Sequence, residues 1–127
     1  VKEIRKKVFV KRLTNPKCKL NHRMSSSVYK SLRGSKMFRK WQDLVGYDID
    51  QLKKHLEKLF KPGMKWENRG EWHIDHIIPI SVFNFEKPED DDFKRCWSLK
   101  NLQPLWKTDN LKKRAKLNKH FQPKLIF

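Results

Sequence analysis

The sequence predicts an α+β fold, with helices in its first half and short strands and a closing helix in its second half. Leu20, Met24, Val28 and Leu32 recur every fourth residue, which is the stripe of an amphipathic helix. Asp48 stands before a second apolar stripe, with Gln51 three residues on as in a capping box. After residue 63, β-branched and aromatic residues dominate, which is typical of strands.

The first half is expected to hold three helices, separated by residues that break helices. The first follows Asn15-Pro16 and is expected to end at Gly34, and a short second helix is expected over 35–46. Pro62-Gly63 closes the third, capped helix. Its apolar face is predicted to consist of Ile49, Leu52, Leu56, Leu59 and Phe60.

The second half is expected to contain strands joined by an acidic connection. A hairpin or two short strands is predicted over 64–80, with a turn at 68–70 and with Pro79 limiting the second strand. Pro88 is expected to open a short helix in the acidic stretch, and 99–106 is expected to be a further strand. Seven apolar residues of these segments are assigned to the core: Trp72, Ile74, Ile77, Ile78, Leu102, Leu105 and Trp106.

A final helix is predicted to follow the last strand, with Thr108 as its cap. Its outward face is predicted to carry four basic residues, Lys112, Lys113, Arg114 and Lys116. The apolar end of the chain is expected to pack back on the body.

The charge of the chain favours a polyanionic partner. Lys and Arg total 31 against 14 Asp and Glu, so the formal net charge is +17, and nucleic acid is preferred over an anionic membrane. No stretch approaches the roughly 18 to 20 consecutive apolar residues of a spanning helix, and no signal-peptide core begins the chain. We therefore expect a soluble, intracellular protein. The basic residues 1–13 are either a solvated arm or an arm that contacts DNA, and the pattern leaves both open.

Length and cysteine content limit the architecture further. A chain of 127 residues suits one compact unit, which we divide into a basic arm and helix over 1–34 and a main domain over 35–127. Cys18 and Cys96 are the only cysteines, and without a Cys-x-x-Cys pair no disulfide framework or four-cysteine zinc site is expected. Both are expected to be buried hydrophobes, and no structural zinc is predicted.

Two stretches gather side chains that suit phosphodiester chemistry. They read "WHIDHIIPIS" and "SLKNLQPLWKTDNLKK", and two strands followed by a helix would bring their polar residues together: His73, Asp75, His76, Asn101 and Asn110. Hydrolysis of a phosphodiester needs an activated water and a cation that holds the developing charge. Histidine is the natural base near neutral pH, while carboxylate and amide oxygens suit Mg²⁺ or Mn²⁺.

Over about residues 64–117 these stretches resemble the HNH endonuclease family. The likeness is closest to small stand-alone HNH proteins of phages and prophages, and it extends back to about Asp48. The step from Asn101 to Asn110 is the same as in the HNH domain of RNA-guided CRISPR nucleases. The resemblance implies a ββα-metal motif, here without the zinc brace of two CxxC pairs that many family members carry.

The resemblance also implies a role for each residue. Asp75 and Asn110 would hold one divalent ion, Mg²⁺ or Mn²⁺, and His76 would be the general base. Asn101 would orient His76 through a side-chain or backbone hydrogen bond. His73 shares a strand face with Asp75, and its role stays open between a metal contact and a second-sphere or DNA contact.

The implied activity is metal-dependent hydrolysis of DNA that leaves a 5′-phosphate and a 3′-hydroxyl. Phosphate contacts are expected from eight basic residues: Arg33, Lys36, Arg39, Lys40, Lys112, Lys113, Arg114 and Lys116. One such site cuts one strand, so a monomer would nick, and double-strand cleavage would need a dimer or successive nicks. We expect a monomer or a weak dimer. Phage packaging proteins or other DNA-processing proteins are the further partners to consider.

Two alternatives come from other classes of protein. A DNA-binding module that has lost the chemistry would not need Asp75, His76, Asn101 and Asn110 together. A zinc-binding RNA-associated or ribosome-associated protein would fit the charge, but the missing cysteine pairs count against it.

Overall fold

Helices form most of the structure, and two short strands lie among them. The computed structural model describes residues 15–120, and for 115–120 it describes only the course of the helix. The elements are α1 (Pro16–Leu32), α2 (Trp41–Val45), α3 (Ile49–Leu59), β1 (Trp72–His76), α4 (Asp91–Cys96), β2 (Leu102–Trp106) and α5 (Lys107–His120). This mixture confirms the predicted α+β class. The basic arm 1–13 and the last residues, 121–127, lie outside the described residues.

The first helix, α1, is the one that the sequence predicts. The side chain of Asn15 accepts hydrogen bonds from the N–H groups of Lys17 and Cys18, and Pro16 stands in the first turn, where its missing N–H costs nothing. The four residues of the apolar stripe are buried. Gly34 follows in the left-handed conformation, with φ +101°, that favours glycine.

The predicted helix over 35–46 begins later than expected, at Trp41. The Ser35 hydroxyl accepts a hydrogen bond from the N–H of Met37, a local bond that favours a turn over a helix. Met37 is 85% exposed as a result. Trp41 is buried, and its Nε1 donates to the Ser31 hydroxyl at 2.9 Å, which ties α2 to α1.

The capped helix α3 is confirmed with its capping box. The carboxylate of Asp48 accepts from the N–H of Gln51, and the Gln51 side chain accepts from the N–H of Asp48. Leu52 and Leu56 are fully buried. The prediction is wrong for Leu59, which is 42% exposed because it lies in the last turn, beyond the part of α3 that faces the core.

The two strands pair with each other across a long connection. β1 and β2 are antiparallel, with Trp72 opposite Trp106 and His76 opposite Leu102. The hairpin predicted within 64–80 is wrong, because Trp66–Asn68 forms a 3₁₀ turn there. The side chain of Asn68 stabilises this turn by accepting from the N–H of Lys65 and donating to a nearby carbonyl.

Three element boundaries differ from those predicted. The strand expected over 99–106 begins at Leu102, because Leu99–Asn101 forms a 3₁₀ turn. α4 begins at Asp91 rather than Pro88, because the Asp90 carboxylate accepts two backbone N–H groups and holds the preceding residues in a turn. α5 follows β2 directly from Lys107, so Thr108 lies inside its first turn.

One core joins the helices to the strands. It contains Leu20, Met24, Val28 and Leu32 of α1, Leu52 and Leu56 of α3, Phe93 and Cys96 of α4, and Leu102 of β2. Beside it the rings of Phe60, Trp66 and Trp72 form a triad with centroids 5.1 to 5.4 Å apart. The assignment of Ile77 to the core is wrong, because it is exposed on the turn after β1.

The two cysteines differ in exposure. Cys96 is buried, as predicted, but Cys18 is exposed near the start of α1. Over the described residues, no helix is long and apolar enough to cross a membrane. The division of the chain at residue 34 stays a prediction, although α1 contributes to the same core as the later elements.

Candidate active site

Two adjoining clefts lie where β1 and α5 meet. The smaller, of about 130 Å³, is lined by residues that include Asp75, His76, Asn110 and Lys113. The larger, of about 620 Å³, is shared with α1 and includes His73, His76 and Asn110. Asp75 and His76, which are neighbours in β1, therefore line one small cleft with Asn110, which is distant in sequence.

Asp75 has a buried carboxylate, and one of its two oxygens already accepts hydrogen bonds. Its Oδ2 accepts hydrogen bonds from Gln103 Nε2 at 2.9 Å and from Lys113 Nζ at 2.6 Å. Gln103 is the residue that the strand register places opposite Asp75. Among the described residues, no hydrogen bond reaches Oδ1 of Asp75, so that oxygen is free to bind a ligand.

The ring of His76 is held in a defined orientation. Its Nδ1 lies 2.9 Å from the carbonyl oxygen of Cys96, and since a carbonyl only accepts, Nδ1 carries the proton of the neutral ring. Nε2 is then the nitrogen with the lone pair. Trp97 packs edge-on against the ring, with centroids 4.6 Å apart. Burial lowers the pKa of His76 below its ordinary value, against the Cys96 hydrogen bond and Asp75, which raise it.

Asn101 is buried at the junction between the turn after β1 and the end of α4. Its Oδ1 accepts from the N–H of Ile78 at 2.7 Å, and its Nδ2 donates to the carbonyls of Ile78 and Cys96. Its own carbonyl accepts from the N–H of Ile77. No hydrogen bond joins Asn101 to His76 directly. The two side chains instead share the carbonyl of Cys96, through which Asn101 can fix the position of the ring.

Asn110 lies in α5 with its side chain turned to both clefts. The residue is buried, and within the described part of the chain its amide makes no hydrogen bond. The amide atoms themselves reach the water of the clefts, because no fully buried side-chain nitrogen or oxygen among the described residues lacks a hydrogen-bond partner. The Asn110 amide is therefore available to a ligand in the cleft.

His73 lines the larger cleft but not the smaller one that holds Asp75. Its neighbours around the larger cleft include Arg33, Arg69 and Arg114. Burial lowers the pKa of His73, and the charges of Lys107 and Arg114 lower it further. The ring is thus neutral near pH 7 and surrounded by cationic groups.

The basic residues that the sequence predicts to bind phosphate do not all lie at the clefts. Arg33 and Arg114 line the larger cleft, whereas Lys36, Arg39 and Lys40 do not. Lys112 is exposed on α5, and the side chain of Lys116 lies outside the described part of the structure. The outward placement of Lys113 is wrong, because its ammonium faces inward and contacts Asp75.

Besides Gln103, which bonds Asp75, four further groups of the site were missed. Arg69 lines the larger cleft and donates to the carbonyl of Leu32 at 2.8 Å, although its place between Asn68 and Gly70 predicts only a turn. The Tyr29 hydroxyl accepts from the N–H of Ile74 in the middle of β1. The carbonyl of Cys96 accepts the Nδ1–H of His76, and the ring of Trp97 packs against the same imidazole. Arg69 lies shortly before β1, which carries His73 and His76, and this closeness in sequence is the signal that could have identified Arg69 as a site residue.

The oxygen donors of the smaller cleft suit a hard divalent ion. Asp75 Oδ1 and the Asn110 amide are the free donors, and carboxylate and amide oxygens are ligands that Mg²⁺ and Mn²⁺ accept. They leave most coordination positions to water and substrate. No group of three or more His, Cys, Asp or Glu residues that could hold a metal ion occurs among residues 15–114.

Two uncharacterized proteins of Acanthamoeba polyphaga mimivirus are similar to this chain. One is 33% identical over 96 residues, which make up 72% of this chain and 41% of the relative. The other is 33% identical over 103 residues, or 80% of this chain and 44% of the relative. The chain thus spans less than half the length of each. No family model and no solved structure matches it.

Proposed function

We propose that this protein is a metal-dependent DNA endonuclease of the HNH type, built on a ββα-metal motif formed by β1, β2 and α5. The observation that carries the proposal is the convergence of Asp75, His76 and Asn110 on one small cleft. A carboxylate and an amide with free oxygens stand there beside an imidazole with a free lone pair. These groups can supply the activated water and the bound cation that hydrolysis of a phosphodiester needs.

His76 is the general base in this proposal. Its Nε2 takes a proton from the attacking water, while the Cys96 carbonyl holds the Nδ1–H and stabilises the positive ring that results. The lowered pKa of His76 keeps the ring neutral, and so ready to accept a proton, near pH 7. The water oxygen bonds to phosphorus as the bond to the 3′ oxygen breaks, and that oxygen takes a proton from solvent, which leaves a 5′-phosphate and a 3′-hydroxyl.

Asp75 and Asn110 would hold the divalent ion. When bound, Mg²⁺ or Mn²⁺ supplies positive charge that stabilises the charge developing on the phosphate oxygens. The two residues come from different elements, β1 and α5, whose junction is fixed by the pairing of β1 with β2. The direct passage of β2 into α5 also keeps Asn110 in the first turns of the helix, where backbone N–H groups favour an anion.

The substrate proposed is DNA, bound by the arginines of the larger cleft. Arg33, Arg69 and Arg114 come from three separate parts of the chain and line the same cleft as His73 and His76. Guanidinium groups bind phosphate oxygens through paired donors, and such contacts position a strand without reading its sequence. The net charge of +17 supports this choice of partner. A single site of this kind nicks one strand.

One observation favours a second candidate, a DNA-binding module that does not cleave. The carboxylate that should hold the metal ion is already paired with the ammonium of Lys113. A protein that used Lys113 as a permanent replacement for the metal ion would keep the fold and the basic cleft without the chemistry. Activity with added metal distinguishes the two candidates.

Nicking of supercoiled plasmid tests the proposal. We expect the native chain to nick in Mg²⁺ or Mn²⁺ and not in EDTA. The variant His76→Ala should be slower by roughly 10²- to 10⁴-fold, the usual contribution of a general base. His22→Ala, which removes an exposed histidine outside both clefts, is the matched control and should nick like the native chain.

Two results would contradict this function. If His76→Ala nicks as fast as the native chain, the assignment of the base is wrong. If the native chain binds DNA but nicks with neither metal ion, the DNA-binding module is the better account.

A further inference from the structure

The ammonium of Lys113 sits among three oxygen atoms of β1 and the turn that follows it. Lys113 Nζ lies 2.6 Å from Asp75 Oδ2, 2.8 Å from the carbonyl oxygen of His76 and 3.3 Å from that of Ile77. The two charged side chains are largely withdrawn from water, with 26% of Lys113 and 9% of Asp75 exposed. A carboxylate and two carbonyls thus surround one cation.

Such an arrangement is costlier to break than an ion pair on the surface. Water screens an exposed pair, whereas separating a withdrawn pair leaves a charge without a partner in the protein interior. The ammonium uses its hydrogen-bonding capacity on these three oxygens, and no other described residue bonds its Nζ. Lys113 therefore neutralises Asp75 when no other cation is present.

A divalent ion and the Lys113 ammonium would compete for the same negative charge. Asp75 carries the only carboxylate of the smaller cleft as the structure describes it. Two cations on one carboxylate repel each other over a few ångströms in surroundings of low dielectric. An ion at the free Oδ1 would stand beside the ammonium on Oδ2, and the cost of keeping or moving that ammonium weakens the affinity for the ion.

We propose that Lys113 is the internal counter-ion of Asp75 and that its charge lowers the affinity of the site for divalent metal ions. The inference rests on the proposed function, because it takes Asp75 to be a metal ligand. It differs from a purely structural role, in which Lys113 only fastens α5 to β1. In that case its removal would lower stability and leave metal affinity unchanged.

Binding of Mn²⁺ to the 127-residue chain without DNA tests the proposal. The affinity is measured by isothermal titration calorimetry for the native chain, Lys113→Met, Lys113→Arg and Lys112→Met. Lys112 is the neighbouring exposed residue, so Lys112→Met removes the same charge without touching Asp75. We expect Lys113→Met to bind Mn²⁺ about tenfold more tightly than the native chain, a size typical of coupled sites. Lys113→Arg and Lys112→Met should stay within about twofold of the native affinity.

The result that overturns the proposal is an affinity of Lys113→Met equal to or weaker than that of Lys112→Met. Circular dichroism and thermal unfolding check that each variant is folded. If Lys113→Met does not fold, Lys113→Gln retains a donor for the His76 carbonyl without the charge and should show the same gain. In the background of Asp75→Asn the gain should disappear, and its persistence would also overturn the proposal.

The failure of this inference and the failure of the proposed function give different results. If the native chain nicks DNA but Lys113→Met binds Mn²⁺ no more tightly, the proposed function stands and the counter-ion role fails. If Lys113→Met binds Mn²⁺ more tightly but the native chain never nicks DNA, the counter-ion role stands and the proposed function fails. If neither the native chain nor Lys113→Met binds Mn²⁺, the counter-ion role is overturned directly.

Discussion

The side chain of Asn101 and the backbone of Ile78 are joined by two reciprocal hydrogen bonds. Asn101 Oδ1 accepts from the Ile78 N–H at 2.7 Å, and Nδ2 donates to the Ile78 carbonyl at 3.2 Å. Nδ2 also donates to the carbonyl of Cys96, which accepts the Nδ1–H of His76. One buried amide thus holds the turn after β1 and the carbonyl that orients the His76 ring.

Replacement of Asn101 by Ala should therefore affect both stability and activity. The change leaves buried backbone groups of Ile78 without their partners, and we expect it to lower the free energy of unfolding by about 2–4 kcal/mol. Urea unfolding followed by circular dichroism measures this loss. Nicking at a temperature where the variant remains folded should also slow, because the carbonyl of Cys96 loses one of its two donors.

Asn68 offers a matched control for that change. Its side chain also bonds two backbone groups, but in an exposed turn before β1 where water can replace the lost partners. Asn68→Ala should cost less than about 1 kcal/mol. Equal costs for the two variants would show that Asn101 has no special structural role.

Two leucines of α3 should respond differently to the same substitution. Leu52 is fully buried, whereas Leu59 is 42% exposed in the last turn. Leu52→Ala leaves a cavity and should lower the free energy of unfolding by about 2–5 kcal/mol, and Leu59→Ala by less than about 1 kcal/mol. Chemical denaturation of the two variants measures the difference. Comparable losses would place Leu59 in the core, as the apolar stripe alone predicts.

The two thiols should differ sharply in reactivity. Cys18 is exposed, whereas Cys96 is buried and burial raises its pKa to about 12. The reactive form is the thiolate, so at pH 8 the folded chain should take up one equivalent of a thiol reagent quickly. The second thiol should react only on unfolding, and raising the pH to about 9 should not expose it.

Variants identify which thiol reacts. Cys18→Ser should abolish the fast phase, and Cys96→Ser should leave it unchanged. Two fast-reacting thiols in the native chain would contradict the burial of Cys96 beside His76.

Helices with an apolar stripe or a capping box were predicted well, whereas boundaries set by side chains in turns and the pairing of distant strands were not. The capping box of Asp48 and Gln51 needs only residues three apart, so it is visible in the sequence. The pairing of Trp72 with Trp106 involves residues on either side of a long connection. No local pattern reports that partnership, and the aromatic stretch before β1 resembles a strand although Asn68 holds it as a turn.

The candidate site was likewise predicted only in part. Asp75, His76 and Asn110 could be selected because their residue types and spacing resemble a known motif, and they do line one cleft. Their roles stay predictions. The carbonyl of Cys96 and the position of the Lys113 ammonium could not be foreseen, because every residue has a carbonyl and a lysine within a basic helix usually points to solvent.

Arginines of the larger cleft should dominate the binding of DNA. Arg69→Ala and Arg114→Ala, each made in the His76→Ala background to prevent cleavage, should bind a labelled duplex more weakly than His76→Ala alone. Each lost phosphate contact should reduce the slope of log affinity against log salt by about one. Fluorescence anisotropy in EDTA over a range of salt concentrations measures both quantities.

Lys54→Ala removes an exposed charge from α3 outside both clefts and is the control. If it weakens binding as much as Arg69→Ala, the affinity reflects net charge alone and the cleft is not the DNA-binding surface.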